Sequence, residues 1–140
     1  MSAWEKLYDS MFTALTGYPG LVGSNPGDLV PEENVRPTDD PLEPVSGESI
    51  VYSISSSRED LKARRFEAVV AVVAGSALSK LRAHEIMSEV RRALLPTAMR
   101  SDGLLVKQFR EQATATDAGK VGESWRVVTA FDVKFVEGSL

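Results

Sequence analysis

The single histidine of the chain, His84, is the first residue to consider for chemistry, because an imidazole titrates near neutral pH. Together with Glu85 it begins like the zinc-protease pattern H-E-x-x-H, in which two histidines on one helix face bind the metal. The position of the second histidine is Ser88, so this stretch predicts no zinc site. His84 falls on the charged face of a predicted helix, and we expect it to be a surface residue.

Motifs for phosphate binding and for nucleophilic catalysis are missing from the sequence. No G-x-x-x-x-G-K-S/T loop holds phosphates in backbone amides, and no G-x-G-x-x-G follows a predicted strand. No serine stands in the G-x-S-x-G turn that presents a hydrolase nucleophile. The chain has no cysteine, which excludes thiolate metal sites. We therefore predict no catalytic residue, no cofactor and no metal, and a protein that is not an enzyme.

Two acidic pairs, Glu32-Glu33 and Asp39-Asp40, offer oxygen ligands of the kind that hard cations prefer. They lack the regular alternation and fixed glycine of a calcium loop, so we interpret them as parts of a loose acidic loop. A small basic cluster precedes the most apolar stretch of the chain and is interpreted as the solvated start of a strand rather than a phosphate site. Its members are Lys62, Arg64 and Arg65.

Acidic residues are concentrated between positions 25 and 48. This segment has seven carboxylates and one arginine, a local charge of −6 within a chain whose net charge is −4, which leaves +2 for the rest. Such a near-neutral remainder lacks the basic stripe that a nucleic-acid-binding protein normally shows. The seven carboxylates belong to Asp28, Glu32, Glu33, Asp39, Asp40, Glu43 and Glu48.

The composition fits one soluble domain. The 140 residues, 43% of them hydrophobic and 26% charged, are enough for a single core. No apolar run approaches the roughly 18 residues needed to cross a bilayer, and the N-terminal residues lack the basic and apolar regions of a signal peptide. We expect no membrane association and synthesis in the cytoplasm.

The first predicted element is a helix that begins at Ala3 and ends at Gly17. Ser2 and Glu5 have the spacing of a capping box, in which each side chain satisfies a backbone amide at the helix start. The apolar residues of this helix form a wide stripe that we interpret as core, with a docking face for another subunit as the open alternative. The stripe consists of Trp4, Leu7, Tyr8, Met11, Phe12 and Leu15.

Residues 18–48 contain six of the seven prolines and show little hydrophobic periodicity. A connection of this length is uncommon inside a compact domain, and such loops are usually functional or disordered. Two interpretations remain open. The segment is a solvated loop, or it is an arm that becomes ordered only against a neighbouring subunit or partner.

The most apolar stretch, residues 66–74, is rich in β-branched residues and predicts a strand at the centre of the sheet, covered on both faces. Gly75 ends this strand. Ser76 is predicted to cap an amphipathic helix that continues to Leu95. Alternation over residues 49–55 predicts another strand, which the polar residues 55–60 close.

A long hairpin is predicted in the C-terminal third, with strands over residues 104–116 and 123–136 and a turn at 117–122. The first half of the strand over 104–116 is expected to join the core, and its second half to project outward. A one-residue slip of the second strand would expose its aromatic face, so the register is firmly specified. That face consists of Trp125, Val127, Thr129, Phe131, Val133 and Phe135.

These elements predict an α+β domain that spans residues 1–140. We expect about four strands in a mainly antiparallel sheet, with two helices packed on it. The long proline-rich acidic loop at about residues 18–48 and the projecting hairpin complete the predicted architecture.

In its layout the chain resembles the tail terminator family of long-tailed bacteriophages, also called tail-completion or head-to-tail joining proteins. The resemblance covers nearly the whole chain. It is carried by the opening helix, the strand Ile50-Val51-Tyr52-Ser53-Ile54, and the apolar strand and helix over 66–95. The turn Asp102-Gly103 and the strand over 125–135 continue it.

The resemblance implies a virion protein that forms a hexameric ring at the head-proximal end of the tail tube. The ring would stop tube elongation and bind the head connector or stopper protein, while double-stranded DNA passes through it without sequence-specific binding. This implies a place in the tail-neck region after assembly in the host cytoplasm. Residues expected to contact the tube or a neighbouring subunit are Arg110, Gln112, Thr114, Lys120 and Arg126 of the hairpin, and Asp28, Glu32, Glu33, Asp39 and Asp40 of the loop.

Two alternatives remain. Another head-tail connector component, such as a neck, stopper or adaptor protein, would also form rings and lack catalytic residues, and the identity of the partner would separate it from a terminator. A small α+β enzyme or ligand-binding module would instead need a concave pocket with convergent polar groups.

Overall fold

The computed structural model describes residues 2–40, 47–101, 103–112 and 116–138. Two α-helices and one turn of 3-10 helix accompany seven strands. The helices are α1 (Ala3–Thr16) and α2 (Lys80–Ala93), with the 3-10 turn at Glu32–Asn34. The strands are β1 (Val35–Pro37), β2 (Ser49–Asp60), β3 (Arg65–Ser76), β4 (Arg100–Ser101), β5 (Leu104–Glu111), β6 (Thr116–Val121) and β7 (Ser124–Glu137).

Helix α1 begins as the sequence predicts. The Ser2 hydroxyl accepts a hydrogen bond from the Glu5 amide, and the Glu5 carboxylate accepts one from the Ser2 amide, so two orphan donors are satisfied reciprocally. Gly17 caps the other end. Leu7, Met11 and Leu15 of the predicted stripe are fully buried. The stripe is therefore a core face, with its aromatic members packed partly buried against that core.

Six strands form one continuous sheet in the order β1-β2-β3-β7-β5-β4, and β6 pairs with β7 on the same side as β5. The β1–β2 pair is parallel and all the other pairs are antiparallel, which makes the sheet mixed. The predicted count of about four strands was wrong, because the described residues form seven strands; five of the six strand pairs are antiparallel.

The strands that the sequence did not predict are short or lie in segments without an alternating pattern. β1 has three residues and includes Pro37, within a proline-rich segment that shows no alternation. β4 has two residues, fewer than any alternating pattern can reveal. The single strand predicted over residues 104–116 is instead β5, with β6 beginning only at Thr116. Pairing to a neighbour, rather than local sequence, defines these elements.

The predicted projecting hairpin lies within the sheet. Since β3 pairs with β7 as far as Ser76 opposite Trp125, the sheet extends almost to the β6–β7 turn. That turn is only Gly122-Glu123, with Gly122 at φ +60°. Of residues 117–122, which were predicted as the turn, 117–121 belong to strand β6, whose pairing with β7 shifts register between Asp117 and Gly119. This hairpin is thus an edge of the sheet and not an arm.

Two predicted boundaries also move. β2 continues through the polar residues 55–60, which were expected to close it, because they pair with the first residues of β3 across a bulge. Helix α2 is capped by Ser79, whose hydroxyl accepts a hydrogen bond from the Arg82 amide at 3.0 Å. Ser76 instead accepts hydrogen bonds from the amides of Leu78 and Ser79. It therefore shapes the turn before the helix.

The segment predicted as a solvated loop or arm is partly built into the core. Leu21, Val30 and Val35 are at most 4% exposed, and Val22 forms a bridge with Val30. These contacts need no neighbouring subunit. Residues 41–46 of the predicted loop lie outside the described residues.

Both helices pack on one face of the sheet, and the predicted register of β7 is confirmed. Val127, Phe131 and Phe135 are buried on this face, opposite Ala74, Val70 and Phe66 of β3. Three aromatic rings close one end of the core. The Trp4 ring meets the edges of Phe66 and Phe135 at centroid distances of 5.5 and 5.3 Å.

The other face of the sheet is buried only at one end, so the prediction that the central strand is covered on both faces holds only there. Val51, Val73 and Arg126 are at most 2% exposed, whereas further along the same face Lys134 is exposed. Gly75 lies in register between Ser49 and Arg126 on this face. A Cβ atom at Gly75 would stand 2.7 Å from the Ser49 Oγ, so close approach between strands requires glycine here.

We expect Gly75→Ala to lower the free energy of unfolding by about 1–3 kcal/mol, because the added methyl group overpacks a buried site. Urea denaturation followed by tryptophan fluorescence measures the change. Gly27→Ala is the matched control, since a Cβ at Gly27 would have no heavy atom within 4 Å. Adding Ser49→Ala should relieve the clash. Equal stability of Gly75→Ala and Gly27→Ala would contradict this packing account.

Candidate functional site

His84 joins helix α2 to the edge strand β6. Its Nε2 atom lies 2.6 Å from Oδ1 of Asp117, and Nζ of Lys80 lies 3.6 Å from Oδ2 of the same carboxylate. The His84 hydrogen bond, and then the positive charge of Lys80, hold the pKa of Asp117 below its ordinary value. All three side chains are about half exposed. The predicted surface histidine thus has a structural partner on a neighbouring strand.

Glu111 of β5 forms a second connection to α2. Both of its carboxylate oxygens lie 3.1 Å from Nε of Arg91, and the Thr129 hydroxyl donates to it at 2.5 Å. The carboxylate of Glu111 is therefore neutralised and satisfied within the subunit. Glu111 and Asp117 both form ion pairs with basic side chains of helix α2, so their negative charges are compensated there.

Cations remain on that outer edge. Lys107, Arg110 and Lys120 are exposed and have no ion pair within residues 2–40, 47–101, 103–112 and 116–138. The Lys120 ammonium lies 5.6 Å from the centroid of the half-buried Trp125 ring, and the Lys80 ammonium lies at the same distance. We call Lys107, Arg110, Lys120 and Trp125 the basic edge.

The predicted hairpin contacts do not form one cluster. Arg110, Gln112 and Lys120 are exposed along β5 and β6, and Gln112 donates to Asp132 at 2.8 Å. Arg126 is 2% exposed on the face of the sheet opposite the helices, so its guanidinium lies in the interior of the subunit. Thr114 lies outside the described residues.

The predicted acidic contacts separate into two groups. Asp28 belongs to a local turn, where its carboxylate accepts a hydrogen bond from the Asn25 amide at 3.0 Å. The others are exposed on either side of β1, in the 3-10 turn before it and in the chain just after it. They are Glu32, Glu33, Asp39 and Asp40.

Two further carboxylates at this edge, Glu5 and Asp9, were missed because they belong to a different element. They lie on the polar face of α1 and line, together with Asp39, a shallow concavity of about 420 Å³ between α1 and β1. We call the exposed carboxylates that flank β1 the acidic edge. Its members are Glu5, Asp9, Glu32, Glu33, Asp39 and Asp40.

Tyrosines attach α1 to the sheet beside the acidic edge. The Tyr8 hydroxyl accepts a hydrogen bond from the Ile54 amide at 3.1 Å, which satisfies a backbone donor of β2 beyond the end of β1. Burial raises the pKa of Tyr52 well above its usual range, and the charge of Asp9 adds to this effect. Tyr52 therefore stays a neutral phenol at any physiological pH.

A second concavity lies on the face of the sheet. This concavity, of about 630 Å³ between β3, β5 and β7, carries both signs of charge, and two of its charged groups, Glu67 and Lys134, lie 3.7 Å apart. Two of its lining charges are therefore satisfied by each other, and the exposed Lys107 also belongs to the lining. Within the described ranges no three His, Asp or Glu side chains are grouped to hold a metal ion. No helix of these ranges is long and apolar enough to span a membrane.

Comparison with known proteins gives one kind of likeness. No protein-family model matches the sequence, and no curated protein matches it. Among solved structures, a chain of the structure described as "Virion of native gene transfer agent (GTA) particle" is similar, with a TM-score of 0.57 and 14% sequence identity. The match covers 98% of this chain and 92% of that chain. This chain therefore shares its fold with a chain of a virion particle along nearly its entire length.

The contact between His84 and Asp117 predicts a titration shift. Because the folded-state pKa of Asp117 is depressed, the contact stabilises the fold at pH values above the unfolded pKa of about 3.9 and is lost as the pH falls through the folded-state value. Carboxyl-carbon NMR should show Asp117 titrating below a model aspartate. We expect His84→Ala to raise this pKa more than the control Lys80→Ala. An unchanged titration in His84→Ala would contradict the assignment.

Proposed function

We propose that this chain is a structural protein of a virion, and that it acts as a tail terminator. In this role copies of the chain form a ring, for which we propose six subunits, on the head-proximal end of the tail tube. The ring stops tube elongation and binds the head connector. The observation that carries the proposal is the shared fold with a chain of a gene transfer agent virion, which extends over 98% of this chain.

The residues that carry the resemblance to tail terminators support the proposal independently. The stretches over 50–54 and 125–135 belong to β2 and β7, and the stretch over 66–95 contains β3 and α2. Its opening helix matches α1. The sequence layout thus favours the tail terminator family, and the shared fold supports a structural protein of a virion.

The surface of the described residues suits assembly better than catalysis. Its exposed charges are distributed along the two sides of the sheet, and its two best-defined polar clusters, around Asp117 and Glu111, hold elements of the subunit together. Both are satisfied within the chain, so they offer little to a substrate. Side chains exposed along a strand are well placed for a partner protein.

Double-stranded DNA passes through the proposed ring without base-specific contact. Sequence-specific readout requires a helix, strand or loop whose side chains reach base edges, together with cations that hold the phosphates. The exposed cations of the basic edge are few and are matched by a larger number of exposed carboxylates at β1. Such a surface favours passage of the genome over capture of it.

We expect Arg110→Ala/Lys120→Ala to weaken binding to tail-tube ends about tenfold or more, because both exposed cations are proposed contacts to the tube or a neighbouring subunit. Purified tube is incubated with each variant, bound chain is quantified after pelleting, and tube length is measured by electron microscopy. Tubes grown with the variant should be longer and more variable.

The matched control is Lys62→Ala/Arg92→Ala, which removes two exposed cations elsewhere on the surface and should bind as the wild type does. Equal binding by both double variants would exclude the basic edge from capping. A wild-type chain that ignores tube ends and binds a portal-bound adaptor instead would contradict the terminator function and assign the chain to another connector component.

A further inference from the structure

The sheet ends in two different edges. One is β1, whose described neighbour is β2, and the other is formed by β5 and β6 in succession along β7. β4 covers only Leu104 and Leu105 of β5. Beyond these residues the outer side of β5, and all of β6, has no strand partner within the described chain. An unpaired edge is a surface on which another chain can associate.

The β1 edge is strongly negative. In the described part of the chain, this side carries six exposed carboxylates, from α1, the 3-10 turn and the residues after β1, and one cation, Arg36. The strand itself is short and includes Pro37, which has no amide to donate. Extended backbone pairing with another strand is therefore restricted here, and side-chain charge is the dominant property of the acidic edge.

The β5–β6 edge has the opposite character. Its two strand carboxylates, Glu111 and Asp117, are paired with helix α2, where Arg91 and Lys80 supply positive charge and His84 supplies a hydrogen bond. What remains exposed on these strands is the positive charge of Lys107, Arg110 and Lys120, with one exposed carboxylate, Glu123, in the β6–β7 turn. The Trp125 ring beside Lys120 adds an aromatic side chain of the kind that anchors protein interfaces.

We propose that copies of this chain associate with one another by placing the acidic edge of one subunit against the basic edge of the next. This inference deepens the proposed function, on which it rests, by naming the two surfaces that build the ring. It follows from charge complementarity between two surfaces of the same molecule, together with the missing strand partners on the basic edge.

The same charges determine the symmetry of the assembly. A two-fold dimer would put acidic edge on acidic edge or basic edge on basic edge, and like charges brought together oppose association. A contact between different edges leaves one acidic and one basic edge free on every dimer. Such a heterologous contact forms a ring where its rotation closes, as the proposed function requires, and an open filament where it does not. Ring formation is therefore favoured over symmetric pairing.

The test reverses the charge of each edge in the full-length chain. Arg110→Glu/Lys120→Glu makes the basic edge acidic, and Glu32→Lys/Glu33→Lys/Asp39→Lys/Asp40→Lys makes the acidic edge basic. Association is measured by sedimentation velocity over a concentration series at low and high salt, and circular dichroism checks the folding of each variant. The control, Lys62→Glu/Arg92→Glu, carries the same change of charge as the basic-edge variant, away from both edges.

We expect the wild type and the control to associate, and salt to weaken that association. Each edge variant alone should associate about a hundredfold more weakly or worse. An equimolar mixture of the two edge variants should recover, because every contact in an alternating ring again joins opposite charges. Recovery on mixing is a result that misfolded variants cannot give.

The inference is overturned if either edge variant associates as the control does, if the mixture fails to recover, or if the wild type remains a monomer at every soluble concentration. Binding to tube ends, measured in parallel, separates this failure from failure of the proposed function. A monomeric wild type that still binds tube ends overturns the edge contact alone. Charge-dependent association of a chain that ignores tube ends overturns the terminator function alone.

Discussion

Pairing between β3 and β7 is the constraint on which the rest of the structure depends. Twelve consecutive residue pairs, from Arg65 opposite Val136 to Ser76 opposite Trp125, bring the two most apolar strands together and fix their register. The face they share with the helices supplies the aromatic and β-branched centre of the core. Every other strand of the sheet is added outward from this pair, so the acidic and basic edges are placed on opposite sides by it.

The sequence predicted the elements whose periodicity is strong. Helix α1, its capping box, the central strand and the aromatic face of β7 are all confirmed, because burial on one side imposes a pattern that local sequence must follow. Elements defined by pairing alone were missed. Three residues at Val35–Pro37 and two at Arg100–Ser101 carry no periodic signal, and the polar end of β2 is a strand only because β3 lies beside it.

The excess of negative charge was predicted from the sequence, but not which carboxylates share one surface of the folded chain. The excess of carboxylates in residues 25–48 is visible in the sequence, yet the contribution of Glu5 and Asp9 to the same surface required the packing of α1 beside β1. The hydrogen bond between His84 and Asp117 joins residues 33 positions apart. No spacing rule identifies such a pair, although a lone histidine beside basic residues favours an acidic partner elsewhere in the fold.

The strand β6 lies outside the cooperative centre of the molecule. It pairs with β7 alone, its described residues contribute nothing to the buried core cluster, and its connection to α2 is half exposed. Regions of this kind open locally at a small fraction of the global unfolding free energy. Its amides should therefore lose protection from hydrogen exchange well before those of β3. The β6 side of the sheet can thus adjust its conformation to a partner while the core remains folded.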